Sequence, residues 1–293
     1  MKYLIGLQAE PLTDKVNDKF TGVGMIRSEY LCRSIEEYFP LQSCRDFIYE
    51  YVDNICRVFA DGEVWYRTAE LIAPEINVLK GADHVFEEKH YLLGLRGVRR
   101  GLKYQETFML ELDNIAKLST IRPNLNVLFP YIKDAAELEK CLEMLRKVNF
   151  ANKYGIMAEI PSAIITLEDF LALGVSNVTV GVNDLTSLTL GTYRESGYHD
   201  CTHPAVIKLI ETVIDKVRTY GQKGAVVNVA GTVNKKLCDI CKKLGADNFI
   251  INYPLIPGIL GTDPAALPYI NQLKEIKALT KKRRLEAENA ELK

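Results

Sequence analysis

Residues 155–194 read GIMAEIPSAIITLEDFLALGVSNVTVGVNDLTSLTLGTYR. Two short apolar runs lie in this stretch. The first ends on Glu159; the second ends beside Asn183 and Asp184, with Arg194 ten residues beyond the aspartate. Between them, PSAIITLEDFLALG has the spacing of a short helical connection. Two strand-like runs that each deliver acidic or amide oxygens at their C-terminal ends match the way a β/α barrel builds a Mg2+ site for a small anion.

Working outward, eight β-like runs can be counted: Tyr3–Gln8, Gly22–Arg27, Glu63–Thr68, Leu125–Pro130, Tyr154–Ile160, Asn177–Val182, Ala225–Val229 and Asn248–Asn252. Most are continuously apolar rather than alternating, which suits parallel strands covered on both faces. Helical patterns separate them. AAELEKCLEMLRKV (135–148) follows a capping Asp134, HPAVIKLIETVIDKVRTYG (203–221) has Pro in its first turn and Gly at its end, and VNKKLCDICKKLGAD (233–247) ends on Gly after two lysines. The expected fold is α/β, a (β/α)8 TIM barrel over residues 1–278. Residues 69–101 form a long connection after the third strand, of the kind that usually carries function. LTKKRRLEAENAELK (279–293) is charged all round and is expected to be a solvated helical tail.

The chain has 293 residues, 47% hydrophobic and 26% charged, with a formal net charge of −1. That composition is ordinary for a globular protein, and the charge balance points away from nucleic acid and membrane surfaces. MKYLIGLQAEPLTDK turns acidic too early for a signal peptide, and no apolar run reaches transmembrane length. The seven cysteines are irregularly spaced and read as reduced thiols, so a cytoplasmic location is expected. Cys238-x-x-Cys241 falls on a helical pattern and reads as a partly core-facing pair rather than a redox or metal motif.

The C-terminal ends of the eight runs carry Gln8, Arg27, Arg67, Glu159, Asn183 with Asp184, Asn228 and Asn252. Arginines grip carboxylate or phosphate oxygens bidentately, and Mg2+ is commonly held by one or two protein carboxylates plus substrate and water. The implied ligand is a small, multiply anionic metabolite. The competing reading is that Glu159 and Asp184 simply pair with Arg27 and Arg67 as salt bridges.

Several ordered segments resemble the C-terminal phosphoenolpyruvate (PEP)/pyruvate-binding barrel of PEP synthase, pyruvate phosphate dikinase and enzyme I of the sugar phosphotransferase system, with PEP synthase nearest. GVGMIRSEYL (22–31) resembles the family's G-I/V-G-L-x-R-T/A-E-F/H segment, and WYRTAELIAPEINVLKGAD (65–83) its arginine-bearing segment. YLLGLRGVR (91–99) resembles N-P-x-L-G-W/F-R-G/A, and GIMAEIPSA (155–163) resembles G-I/V-M-I/V-E-T-P-S/A. VGVNDLTSLTLGTYR (180–194) resembles the family's G-T-N-D-L segment and the arginine after it. The resemblance implies that Arg27, Arg67 and Arg96 are catalytic and bind the anion with Asn183, Arg194 and Asn228. It implies that Glu159 and Asp184 hold Mg2+ as the cofactor. A homodimer is expected by analogy.

Two departures bear on the reaction. The family's C-G-E-x-A/G-G-D/E motif aligns with VVNVAGT (226–232), placing Val226 at the proton-transferring cysteine, and valine exchanges no protons. None of the four histidines, His84, His90, His199 and His203, sits in a T-S-H-like loop. His84 and His90 lie in the long loop near the mouth, while His203, before Pro204, reads as a helix-opening residue. The first expectation is therefore a phosphotransferase-type subunit that exchanges a phosphoryl group with a phosphohistidine on a separate protein bearing an ATP-grasp domain, acting on an acceptor other than pyruvate. Two alternatives stay open: a regulatory module that binds PEP or oxalate without turnover, and a Mg2+-dependent lyase acting on a 2-oxo acid.

Overall fold

A computed structural model describes residues 2–12, 19–82, 86, 88, 90, 93–231, 234–261, 263, 267, 269, 275, 278 and 282. Its eight strands are β1 (Lys2–Leu7), β2 (Val23–Arg27), β3 (Val64–Arg67), β4 (Leu125–Phe129), β5 (Tyr154–Ala158), β6 (Asn177–Gly181), β7 (Val226–Ala230) and β8 (Asn248–Asn252). They pair in sequence order, β1 closes on β8, and every pairing is parallel. This is the expected (β/α)8 barrel. The charged tail expected over 279–293 lies outside the described residues apart from Lys282, and so does His84.

Successive side chains of a strand point to opposite faces, and closure turns those faces into an outside and an inside. Val127, Phe129, Ile156, Ala158, Val178, Val180, Val227, Val229, Phe249 and Ile251 join the large core between strands and helices. Met25, Trp65, Leu128, Met157, Ala230 and Ile250 form a second cluster that fills the barrel. The outward face of each strand is apolar, and the inward faces of β2, β3, β4, β5, β7 and β8 contribute to the second cluster, which is why most of the runs show little alternation. Each fully buried aliphatic side chain contributes roughly 1.5–3 kcal/mol.

Helices cover the outside. In chain order they are α1 (Ser28–Ile35), α2 (Gln42–Val58), α3 (Ala73–Ile76), α4 (Val98–Lys103), α5 (Gln105–Ser119), α6 (Ala135–Lys147), α7 (Pro161–Ile165), α8 (Leu167–Ala172), α9 (Val182–Leu190), α10 (Pro204–Tyr220), α11 (Lys235–Leu244) and α12 (Ile256–Leu260). Their starts follow local chemistry. Asp134 accepts from the Glu137 N–H at 2.9 Å to cap α6, Asn234 accepts from the Leu237 N–H at 2.8 Å to cap α11, and His203 Nδ1 accepts from the Ala205 N–H at 3.2 Å to open α10. Cys238 and Cys241 both face the core of α11, and all seven cysteines are free thiols.

The described residues of the 69–101 connection include regular structure. They contain α3 and the first turn of α4. The Lys80 N–H donates to the Glu36 carbonyl and the Tyr38 N–H to the Lys80 carbonyl, each at 2.9 Å, pinning this segment to the chain after α1.

Glu111, on α5, braces the end of β3 from behind. It is 3% exposed, and its Oε1 accepts from the Tyr66 hydroxyl at 2.9 Å, the Ala69 N–H at 2.8 Å and the Ser28 hydroxyl at 3.3 Å. Burial pushes its carboxyl up to about 8 from an ordinary 4.5, although those hydrogen bonds oppose the rise. A carboxyl raised on folding contributes stability that is complete below about 4.5 and is lost as pH rises through about 8. Glu111→Gln keeps the acceptor oxygen and cannot ionise. In urea unfolding its stability relative to wild type should rise by about 1 kcal/mol or more between pH 5 and pH 8.5. The same difference at both pH values would contradict this account.

Candidate active site

The strands end together at one end of the barrel, where residues at or just beyond the ends of β2 to β8 line a cavity of about 840 Å3. β2 ends on Arg27, and α1 begins at once, so Glu29 falls in its first turn. β3 ends on Arg67, with Glu70 three residues on. β5 ends at Ala158 and leaves Glu159 on the short bend before Pro161 opens α7. β6 ends at Gly181 and passes directly into α9, which puts Asn183 and Asp184 in that helix's first turn. A carboxylate is favoured there by the unpaired N–H groups of the helix end.

The charged side chains form one alternating chain. Arg27 Nε lies 3.0 Å from Glu29, and the same carboxylate oxygen accepts from Arg67. Arg67 Nη1 is 2.7 Å from Glu70, which also binds Arg96. Arg96 grips both oxygens of Asp184, at 3.0 and 3.2 Å, and Arg194 Nη2 reaches the second of them at 2.6 Å. Glu29, Glu70 and Asp184 thus each sit between two guanidiniums. Burial alone would raise the Glu70 carboxyl, but Arg96, Arg67 and Arg27 outweigh it and hold it at about 2. Burial is likewise overcome at Glu29 by Arg67, Arg27 and Arg33, so that carboxyl is lowered.

Glu159 stands apart from the chain. It is 1% exposed, and its Oε1 accepts from the Tyr131 N–H at 2.7 Å. Burial first, then the neighbouring Glu70 and Asp184, raise its carboxyl to about 8 against the opposing pull of Arg67 and Arg96. Its position depends on Gly181, where a Cβ would come within 2.2 Å of Glu159 Oε2 and 2.7 Å of its Cβ.

The structure brings Arg27, Arg67, Arg96, Glu159, Asn183, Asp184 and Arg194 around this one cavity. It does not bring Asn228 there. Asn228 lies two residues below the end of β7, on the inward face, where it donates to Asn177 Oδ1 at 3.1 Å and accepts from Asn248 Nδ2 at 2.8 Å. Asn177 and Asn248 open their strands, so Asn228 belongs to a polar floor at the far end. The salt-bridge reading needs different partners: Arg27 and Arg67 pair with Glu29 and Glu70, not with Glu159 and Asp184.

Val226 also needs correction. It is the first residue of β7, level with Asn177, at the end away from the cavity. The β7 residues at the mouth are Ala230 and Gly231. Neither exchanges protons, and no cysteine among the described residues lines the cavity. Val226, the position the motif alignment gave for the thiol, therefore lies outside the cavity. His90 lines the cavity, whereas His199 Nε2 lies 3.2 Å from the Asn183 carbonyl.

Sequence reasoning missed Glu29 and Tyr131 as parts of this site and gave Glu70 no role. An acid two residues after a strand-end arginine, at a helix start, is a usable signal for Glu29. Tyr131, by contrast, follows a strand that ends without a charged residue.

Fold and geometry define a parallel β/α barrel whose mouth is a cavity lined by paired charges. The sequence pattern of the PEP-binding domain of PEP-utilising enzymes matches residues 7–260, and the chain belongs to this family. It is 32% identical over 247 residues to the probable phosphoenolpyruvate synthase of Pyrococcus horikoshii, covering 79% of this chain and 30% of that protein. With the phosphoenolpyruvate synthase of Pyrococcus furiosus the identity is 30% over 248 residues, with the same coverage of 79% and 30%. The chain therefore spans under a third of the length of these relatives. Among solved structures, the citrate synthase SbnG aligns over 96% of this chain and 94% of its own at 12% identity, with a TM-score of 0.48.

Glu70→Ala would leave two buried arginines each short of a partner and should cost about 3 kcal/mol in urea unfolding. Arg194 has a side chain 46% exposed, and Arg194→Ala should cost about 1 kcal/mol or less. Equal costs would show that the chain of ion pairs is not a structural unit.

Proposed function

We propose that this barrel binds a small phosphorylated or 2-oxo-acid ligand together with Mg2+ and exchanges a phosphoryl group with a phosphohistidine carried on a separate protein. The observation that carries this reading is the charge balance of the mouth. Arg27, Arg67, Arg96 and Arg194 face Glu29, Glu70 and Asp184 in the chain of ion pairs, with Glu159 as a fourth acid held outside it. A multiply charged anion entering alone meets a site that is already nearly neutral. An anion entering with a divalent cation brings charges of both signs to a site that has both to offer.

Glu159 and Asp184 would hold the cation. Among the described residues no group of three or more His, Cys, Asp or Glu is placed to bind a metal. Mg2+ does not need one, since it commonly takes one or two protein carboxylates and fills its shell with water and ligand oxygens. The raised Glu159 carboxyl, crowded by Glu70 and Asp184, is the electrostatic condition that an added cation relieves. When bound, Mg2+ would supply Lewis-acid neutralisation of charge on the ligand.

The protein's own groups do the rest. Arg67 is 3% exposed and its buried Nε has no hydrogen-bond partner among the described residues, so it is free to donate to an anion's oxygen. Arg27 lies beside it on the next strand, paired through Arg27↔Arg67 in the β2–β3 register. Arg96 and Arg194 approach from loops on the Asp184 side. Such an array positions a phosphoryl group and neutralises its charge, which is most of what phosphoryl transfer asks of a protein. Ala230 and Gly231 at the end of β7 give no proton to a carbon atom, which favours an acceptor other than a pyruvate enolate. The same two residues support a second reading, a PEP- or oxalate-binding regulatory module without turnover.

Titration calorimetry with PEP or oxalate should show binding with Mg2+ and none without it. Asp184→Ala should abolish the metal dependence, and Gly181→Ala should weaken Mg2+-dependent binding at least about tenfold by displacing Glu159. Binding that ignores the metal in wild type would refute the metal assignment.

A further inference from the structure

We infer that Tyr131 is the positioning residue of the mouth, its ring setting the place of Arg96 and hence the site's affinity for its anion. Three contacts meet on this one residue. Its backbone N–H fixes Glu159 Oε1 at 2.7 Å. The Arg96 guanidinium carbon lies 4.2 Å from the centroid of its ring, and that of Arg99 5.1 Å from it. The loop that carries Arg96 is seated on the backbone of Pro130, just before Tyr131, and against the Tyr131 Cβ. The Val98 N–H donates to the Pro130 carbonyl at 3.1 Å, and Gly97 packs so closely that a Cβ there would lie 2.6 Å from that oxygen and 2.8 Å from Tyr131 Cβ.

Tyr131 also has a backbone φ of +52°, in the left-handed region that favours glycine. Local propensity would put glycine at this position, yet a large aromatic stands there, 2% exposed and lining the cavity. What a tyrosine adds over a glycine is its side chain, whose ring lies under the Arg96 and Arg99 guanidiniums, with Asp184 and Glu159 also close enough to act on it. Arg96 sits among Glu70, Asp184 and the ring, and a guanidinium over a desolvated aromatic face is attracted to it as well as to its carboxylates. Without the ring, Arg96 keeps its ion pairs but loses the surface that fixes its height above the cavity floor.

The inference rests on the functional reading above, and its test separates the two. Tyr131→Gly suits the backbone and removes the ring, while Tyr131→Phe keeps the ring face. Full-length wild type and both variants are titrated with oxalate in the presence of Mg2+, melted, and treated with phenylglyoxal, with arginine modification mapped by peptide mass spectrometry. Tyr131→Gly relieves the backbone but empties a buried site, so it should melt below the wild-type temperature while still folding, bind oxalate about tenfold more weakly, and modify at Arg96 about tenfold faster. Tyr131→Phe should stay within about threefold of wild type in both measurements. Wild-type oxalate affinity and unchanged Arg96 modification in Tyr131→Gly would overturn the inference. If wild type takes no oxalate, the functional reading falls, and the rate of Arg96 modification alone decides the role of Tyr131.

Discussion

Closing eight parallel strands into a barrel forces their C-terminal residues to share one small space. Charges placed there cannot be spread over a surface and have to neutralise one another locally. The chain Arg27–Glu29–Arg67–Glu70–Arg96–Asp184–Arg194 is the arrangement this constraint produces, with each acid held between two guanidiniums. Buried ion pairs gain little over apolar packing, because desolvation offsets most of their attraction. Their value here is geometric. Four arginines that would otherwise be mobile are held in fixed directions around a cavity, as electrostatic preorganisation requires.

Glu159 shows the other side of that constraint. It faces the same cavity but has been given a backbone N–H in place of a guanidinium partner. Left out of the neutralising chain, this acid has its carboxyl raised by burial and by Glu70 and Asp184. The site therefore carries an internal asymmetry between acids already satisfied by arginine and one that is not.

The barrel was legible in the sequence because strands covered on both faces leave unmistakable apolar runs, and because helix caps such as Asp134 and Asn234 are local devices. The mouth was legible where charged residues end a run, as at Arg27, Arg67 and Glu159. What could not be read was depth. Asn228 and Ala230 share a face of β7, and only the register to β6 and β8 shows that one lies at the floor and the other at the mouth. The same lack of depth put Val226 at the wrong end. Tyr131 was invisible for another reason: its importance lies in a backbone conformation and a ring contact, neither of which leaves a charge or a period in the sequence.

The asparagines at the far end have a consequence of their own. Asn177, Asn228 and Asn248 link three neighbouring strands through side-chain amides, and Thr179 donates to Asn177 Oδ1 at 2.9 Å. Sliding any one of these strands by a residue would turn an amide into the oily layer beneath the helices and leave its neighbours without a partner. The floor thus acts as an alignment key, legislating strand order from the end opposite the cavity. Residues at the rim can then drift in evolution, exchanging one chemistry for another, without the barrel losing track of how its staves fit together.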